Sequence, residues 1–134
     1  MADGGRDPAR AYRDRMATAQ RNEVVGAAAR IGAVVGSWPG VETGTHRFGG
    51  IEFRVGRREL GHLHGDHSAD LPFPRRVRDE LVAGGRALPH RALPDSGWIT
   101  FPIRTDEDVE RAIELFRMTY ERAGRSRPAR PSGG

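Results

Sequence analysis

Residues 51–64 have the sequence IEFRVGRRELGHLH, and this stretch decides the fold. Its first five residues alternate apolar with polar side chains, which is the period of a strand with one buried face. Gly56 with the two arginines that follow it predicts a turn, and residues 59–64 predict an antiparallel partner strand. Residues 41–48 predict a further strand before this hairpin. The segment is therefore predicted to be a three-stranded meander.

Helical patterns flank the meander on both sides. Apolar residues recur at helical spacing from Asn22 to Val35, and Gly36 is predicted to end this helix. A second helix is predicted over residues 75–83, started by Pro74 and closed by two glycines. The third is predicted to begin at Thr105, an N-cap followed by three acids, and to end at Gly124. Its predicted buried stripe consists of Val109, Ala112, Ile113, Phe116 and Tyr120.

One more strand completes the predicted sheet. Residues 98–103 alternate, with Ile99, Phe101 and Ile103 facing the core and Trp98 on the other side. Residues 70–74 contain two prolines, which predicts that they lie outside any central strand. The predicted fold is α+β, a two-layer sandwich in the order α-β-β-β-α-β-α, with about four antiparallel strands and helices on one face.

The chain has 134 residues, which indicates a single domain, predicted over residues 18–123. Residues 1–17 predict a disordered arm, and residues 124–134 predict a disordered tail rich in Arg, Pro and Gly. There is no cysteine, which excludes disulfides and thiolate metal sites. All 22 basic residues are arginine, which excludes lysine-based catalysis.

Charge and hydropathy bear on location and partners. The net charge is +4 and the pI is about 10.8, which permits association with nucleic acid, although much of the charge lies in the predicted arms. No run of 18 apolar residues and no secretory signal is present, so no membrane contact and a cytoplasmic location are expected. Nothing in the sequence specifies an oligomeric state.

The densest chemistry lies in residues 59–67, ELGHLHGDH. On a strand, His62 and His64 project from the same face about 7 Å apart, and Glu59 is expected on the opposite face. Gly65 allows a turn that returns Asp66 and His67 toward the pair. The letters match HxHxDH, a metal motif of metallo-β-lactamase-fold hydrolases. A mononuclear His/His/Asp or three-His site, and histidines that only hydrogen-bond within the sheet, remain open alternatives.

A second group could bind a ligand next to these histidines. His90 and Trp98 offer a polar group and an aromatic floor, and Arg76, at the start of the second helix, could bind a carboxylate or an enolate. No cofactor is predicted. If a metal ion is bound, its predicted ligands are His62, His64, Asp66 and His67.

The combination of residues 46–53, 59–66 and 69–74 with Pro89-His90 and Ser96-Gly97-Trp98 resembles the luciferase-domain family of bacterial proteins and fungal luciferases. The resemblance extends over about residues 22–123. It implies an oxygen-using enzyme acting on a small aromatic enol, without nucleotide or flavin. The second half also resembles the YjbR-like double-wing family, which implies a DNA-binding module.

The leading hypothesis combines these expectations. His62 or His64 acts as the base, Asp66 orients it, and Arg76, His90 and Trp98 bind a small aromatic or enolic acid. The alternatives are a metal-dependent hydrolase, an accessory or interaction protein without chemistry, and a module that binds duplex DNA through arginines of the first hairpin. Those arginines are Arg54, Arg57 and Arg58.

Overall fold

The computed structural model describes residues 24–45 and 50–126, together with the isolated positions Arg10 and Asp14. The helices of this part are α1 (Ala27–Val35), α2 (Arg75–Ala83) and α3 (Asp106–Ser126). Its strands are β1 (Val41–Thr45), β2 (Ile51–Val55), β3 (Arg58–His64), β4 (Ser68–Pro72), β5 (Leu88–Pro89) and β6 (Trp98–Pro102).

The six strands form one open antiparallel sheet in the order β1-β2-β3-β4-β6-β5. This confirms the α+β class, while the sheet has more strands than the four predicted. The two additional strands are β4 and the short β5, which lies inside a stretch expected to be irregular. The predicted hairpin of β2 and β3 is present.

The prediction that residues 70–74 lie outside any central strand is wrong. Strand β4 runs through Pro72 and pairs with β3 on one side and β6 on the other. Proline is tolerated there because Pro72 is the last residue of the strand, where one missing N–H interrupts little of the ladder. The next amide continues the pairing, since Phe73 N donates to Gly97 O at 3.0 Å.

Helices α1 and α3 pack against each other, and α3 also contacts β3 and β4. The core lies between these helices and the sheet. In it, the rings of Phe53 and Phe116 pack edge to face with their centroids 5.2 Å apart. Helix α2 contacts β5 and β6 instead. One face of the sheet is thus buried under α1 and α3.

Local signals explain where the helices begin and end. Helix α1 stops before Gly36 as predicted, although it begins only at Ala27. Helix α3 starts after Thr105, which exchanges hydrogen bonds with Asp108: the Thr105 hydroxyl accepts from the Asp108 amide at 3.1 Å, and the carboxylate accepts from the Thr105 amide at 3.2 Å. Helix α3 continues to Ser126, past Gly124. A glycine costs a helix only about 1 kcal/mol, and the neighbouring Ala123 is fully buried.

Several predictions fall on residues that the structure does not describe. The disordered arm at 1–17 lies outside the described residues except for Arg10 and Asp14, and the same holds for the tail beyond residue 126. The last part of the predicted first strand, residues 46–48, also lies outside them. No helix of the described part combines the length and the apolar character needed to cross a membrane.

Candidate functional site

A row of polar side chains crosses the middle of the sheet. Cross-strand register places Glu52 opposite His62, His62 opposite Asp70, and Asp70 opposite Thr100. The neighbours of these residues along each strand are core residues, among them Phe53, Leu63, Leu71 and Ile99. Because side chains alternate along a strand, the polar row lies on the face opposite α1 and α3. His62, Asp70 and Thr100 are nevertheless buried.

A β-bulge adds Glu59 to this polar face. Arg54 pairs with Glu59 and Phe53 pairs with Gly61, so Leu60 is the extra residue of β3. The bulge reverses the alternation, and Glu59 Oε2 lies 2.7 Å from His62 Nδ1. The expectation that Glu59 lies on the opposite face from His62 is therefore wrong.

Gly61 makes this bulge possible. Its φ of 147° is rarely adopted by residues with a side chain. A Cβ atom there would lie 2.8 Å from both Asp70 O and Phe116 Cε1, so the close approach of β3, β4 and α3 requires glycine.

Asp70 is the centre of the site. Its Oδ2 lies 2.8 Å from His64 Nε2, 3.1 Å from His90 Nε2 and 3.4 Å from His62 Nε2. Its Oδ1 accepts a hydrogen bond from the Thr100 hydroxyl at 2.7 Å. One buried carboxylate thus joins three histidines that come from β3 and from the segment after β5. We call Glu59, His62, His64, Asp70, His90, Trp98 and Thr100 the histidine cluster.

The backbone settles the tautomer of His90. Its Nδ1 accepts hydrogen bonds from the amides of Ala92 and Leu93, each at 3.2 Å. A nitrogen that accepts carries no proton, so the proton of the neutral ring is on Nε2 and points to Asp70. His90 is therefore a fixed donor to the carboxylate.

Two carboxylates hold a proton on His62. Burial alone would lower the pKa of His62, but the hydrogen bonds with Asp70 and Glu59 outweigh this and raise the pKa to about 9. At neutral pH the ring is an imidazolium that lies between two acids. His62 thus places a buried positive charge in the cluster.

The same contacts keep Asp70 ionised. Burial alone would raise the pKa of Asp70, but hydrogen bonds from His62, His64 and His90, and from Thr100, hold this pKa well below its usual range. An ionised Asp70 can only accept hydrogen bonds, so His64 also donates from Nε2. An imidazole that carries its single proton on Nε2 has its lone pair on Nδ1.

Trp98 forms an aromatic wall beside the histidines. Its ring centroid lies 5.6 Å from that of His62 and 6.0 Å from that of His90, and the rings of His62 and His64 are 4.9 Å apart. Accessibility decreases from the edge inward: the side chain of His64 is 35% exposed, that of His90 19% and that of His62 10%. His64 is therefore the histidine of the three that solvent reaches most easily.

Residues 57–119 match the family model described as Luciferase domain. This match supports membership of the luciferase-domain family. The matched segment contains every residue of the histidine cluster, whereas the part of the sequence resemblance before residue 57 lies outside it. No curated protein and no solved structure matches the chain.

Within the matched segment, the structure brings together His62, His64, His90 and Trp98 as expected, but not Asp66. The carboxylate of Asp66 accepts hydrogen bonds from the amides of Gly26 and Ala28 at 3.0 and 2.8 Å. Gly26 has no side chain with which to cap α1, so Asp66 supplies the cap from the turn between β3 and β4. The partner of the histidines is Asp70 instead.

His67 and Arg76 also lie outside the cluster. His67 belongs to the turn after β3, where its carbonyl accepts from the Ile103 amide at 2.8 Å, and its Nδ1 is buried. Arg76 is exposed in the first turn of α2 and makes no hydrogen bond, ion pair or ring contact with the cluster among the described residues. Its predicted role in binding a ligand stays a prediction.

Asp70, Thr100 and Glu59 are the cluster members that sequence reasoning missed. A symmetric hairpin around Gly65 and Asp66 pairs His64 with Ser68 and His62 with Asp70. The alternation of Ala69 and Leu71 around Asp70 is the signal that could have shown this, and the prolines that follow concealed it.

His62, His64 and Asp70 could also hold a metal ion. One ligand atom from each lies within 4.8 Å of the others. Both histidines would have to give up the proton that each directs at Asp70, and His90 could not join them while its Nδ1 accepts two amides. Of the predicted metal ligands, Asp66 and His67 are not part of this set.

Proposed function

We propose that this luciferase domain is a cofactor-independent oxygenase that binds a small aromatic or enolic acid against the histidine cluster. The observation that supports this proposal is the set of three histidines on one buried carboxylate beside a tryptophan. A site that only stabilised the sheet could use apolar residues here, as the opposite face does. The family match supports a luciferase-like enzyme or binding protein.

His64 is the base in this proposal. Asp70 accepts a hydrogen bond from the Nε2–H of His64 and thereby leaves the lone pair on Nδ1, the arrangement in which a carboxylate orients a histidine for proton abstraction. His62 already holds a proton at neutral pH, so it serves instead as the fixed positive charge that stabilises the substrate anion.

The proposed reaction adds dioxygen to the substrate and needs no further reactant. His64 removes the proton of the enol or phenol, and the electron-rich ring carbon of the anion forms a C–O bond with dioxygen. The resulting peroxide anion then takes the proton back from the His64 imidazolium. Trp98 provides a flat apolar surface for the substrate ring.

Oxygen uptake tests this proposal. Purified protein is incubated with a panel of hydroxypyrones and hydroxylated aromatic acids, and dioxygen consumption is followed with an electrode. We expect uptake with at least one enolic acid, and a loss of at least 100-fold in kcat in His64→Asn. Because the His64 side chain is 35% exposed, the melting temperature of the His64→Asn variant should differ little from that of the wild type.

His67→Asn is the matched comparison, since it removes a histidine that lies outside the cluster. Equal loss of uptake in both variants, accompanied by bound zinc, manganese or iron in the wild type, would favour the metal set predicted from the sequence. Uptake that persists in His64→Asn would show that His64 is not the base.

A further inference from the structure

A second cavity lies between the turn after α2, the end of β6 and the first half of α3. It has a volume of about 330 Å³, which is within the size range of small-molecule sites in proteins. Its charged lining consists of three arginines, Arg86, Arg104 and Arg111, and two acids, Asp108 and Glu114. We call the cavity formed around these residues the α3 groove.

The α3 groove is separate from the histidine cluster. Among its described lining residues, none belongs to that cluster. Its apolar wall includes Phe101 and Leu115, which are part of the hydrophobic core, whereas Thr100, the neighbour of Phe101, bonds to Asp70 on the opposite face of the sheet. An inference about the α3 groove therefore does not depend on the proposed function.

The buried acid of the groove is already occupied by donors of the protein itself. Asp108 Oδ2 accepts hydrogen bonds from the amides of Arg104 and Thr105 at 2.9 and 3.2 Å, and Asp108 Oδ1 accepts from Arg111 Nη1 at 3.3 Å. The carboxylate is thus fixed at the start of α3. Its closest guanidinium partner is Arg111, which leaves the other two arginines of the groove less well paired.

Arg104 and Arg86 have donors that no protein group uses. Arg104 Nε is buried and has no hydrogen-bond partner among the described residues, since Asp108 Oδ2 lies 3.9 Å away. Arg86 is exposed and forms no ion pair with any residue that the structure describes. A buried donor without an acceptor is uncommon, because the donor loses its hydration without compensation. An oxyanion bound by these two guanidinium groups would supply acceptors.

We propose that the α3 groove is a binding site for a small organic oxyanion, a carboxylate or a phosphate attached to an apolar group. Arg86 and Arg104 bind the oxyanion, because guanidinium groups match carboxylate and phosphate oxygens in planar, often bidentate geometry. The apolar group packs against Phe101 and Leu115. Glu114 is exposed and forms no ion pair within the described part of the chain, so its charge weakens the binding.

Isothermal titration calorimetry with the full chain tests this site. The probes are inorganic phosphate, phenyl phosphate and benzoate, with benzamide as the neutral counterpart of benzoate. The groove variants are Arg86→Gln, Arg104→Gln and Glu114→Gln. Arg75→Gln is the matched control, because Arg75 is an exposed arginine of α2 that lies outside the groove. Thermal melting checks that each variant folds.

We expect phenyl phosphate or benzoate to bind about tenfold more weakly to Arg86→Gln and to Arg104→Gln, and with unchanged affinity to Arg75→Gln. Glu114→Gln should bind the same probe about threefold more tightly, because a repelling charge is removed. Phenyl phosphate should bind more tightly than inorganic phosphate, and benzoate more tightly than benzamide. The stronger of the two aromatic anions distinguishes a phosphate from a carboxylate.

Several results would overturn the proposal. One is the absence of binding of every anionic probe at millimolar concentration. Another is an equal loss of affinity in Arg75→Gln and Arg86→Gln, which would assign the binding to the overall charge of the protein. A third is a loss in His64→Asn as large as that in Arg86→Gln, which would place the probes at the histidine cluster. Oxygen uptake does not enter this experiment, so its absence would contradict the oxygenase and leave the α3 groove unaffected.

Discussion

The two faces of the central sheet are built from the same strands, but one buries apolar side chains and the other buries charged ones. Toward α1 and α3, residues such as Phe53, Leu63 and Leu71 are fully buried in the hydrophobic core. On the other face, His62 and Asp70 are about equally buried but carry charge. The first arrangement gains from removing apolar surface from water, and the second has to offset the loss of hydration with hydrogen bonds.

This difference separates the face that stabilises the fold from the face on which the proposed function rests. Burying a charge pair contributes little net stability and is often weaker than an apolar replacement of similar volume. Burial of apolar surface on the other face is therefore the main source of stability. The polar face keeps a histidine protonated and an aspartate ionised out of water, and groups with pKa values perturbed in this way are frequent at functional sites.

The largest expected effect comes from substituting Gly61, the glycine at the bulge of β3. Gly61→Ala should lower the free energy of unfolding by about 4 kcal/mol, because the new Cβ atom would strain φ and press on both β4 and Phe116. Gly44→Ala is the control, since Gly44 is exposed in β1 and a Cβ atom there meets nothing within 4 Å. Urea titrations measure both. Equal stability of the two variants would contradict the tight packing at the bulge.

Neighbouring residues of β4 compare the faces directly. Leu71→Ala should cost about 3 kcal/mol at every pH, because it leaves a cavity. Asp70→Asn should lower the free energy of unfolding by a similar amount at pH 7, because the protonated His62 then has Glu59 as its remaining carboxylate partner within the cluster. The pKa of Asp70 is lowered by folding, so its contribution is present above the ordinary Asp pKa of about 4 and is lost as the pH falls below it. The cost of Asp70→Asn should therefore shrink at pH 3, and urea titrations at pH 3 and 7 check this. A parallel pH response of both variants would mean that folding does not lower the pKa of Asp70.

His62 gives the polar face an alkaline pH dependence. Folding raises its pKa from 6.5 to about 9, so its stabilising effect is complete below pH 6.5 and disappears as the pH rises through 9. We expect the wild type to lose on the order of 2 kcal/mol of stability between pH 6.5 and 9.5. His62→Gln should be less stable at pH 6.5 and show a much flatter profile. Thermal melts across this range measure the difference, and an equally steep profile in His62→Gln would assign the titration to another group.

Much of the apolar face could be predicted from the sequence because its signal is local. Helix α2 was predicted at its observed bounds, and the alternation in β2 and β6 identified Phe53, Ile99 and Phe101 as core residues. Each of these predictions depends only on spacing within one segment.

The polar face depends on register, which one segment does not contain. His62 and His64 were placed on one face correctly, but their partner was predicted to be Asp66, which is near in sequence. The partner is Asp70, which is opposite in the sheet. The bulge at Leu60 is another such case, because only the pairing of β2 with β3 shows that Glu59 shares the face of His62.

Substitution of Asp66 should have the smallest effect on stability. It tests whether the partner of the histidines is the aspartate near in sequence or the one opposite in the sheet. As the cap of α1, Asp66→Ala should cost about 1 kcal/mol of stability, because two amides lose their acceptor. Asp95→Ala is the control, since Asp95 is exposed near β6 and should change stability little. The sequence-based role predicts instead that Asp66→Ala reduces oxygen uptake as strongly as Asp70→Asn does. Urea titration and oxygen uptake on the same preparations therefore separate the two roles: a stability loss without a matching loss of kcat assigns Asp66 to the helix. A loss of kcat at unchanged stability would return it to the site, in spite of its place at the end of α1.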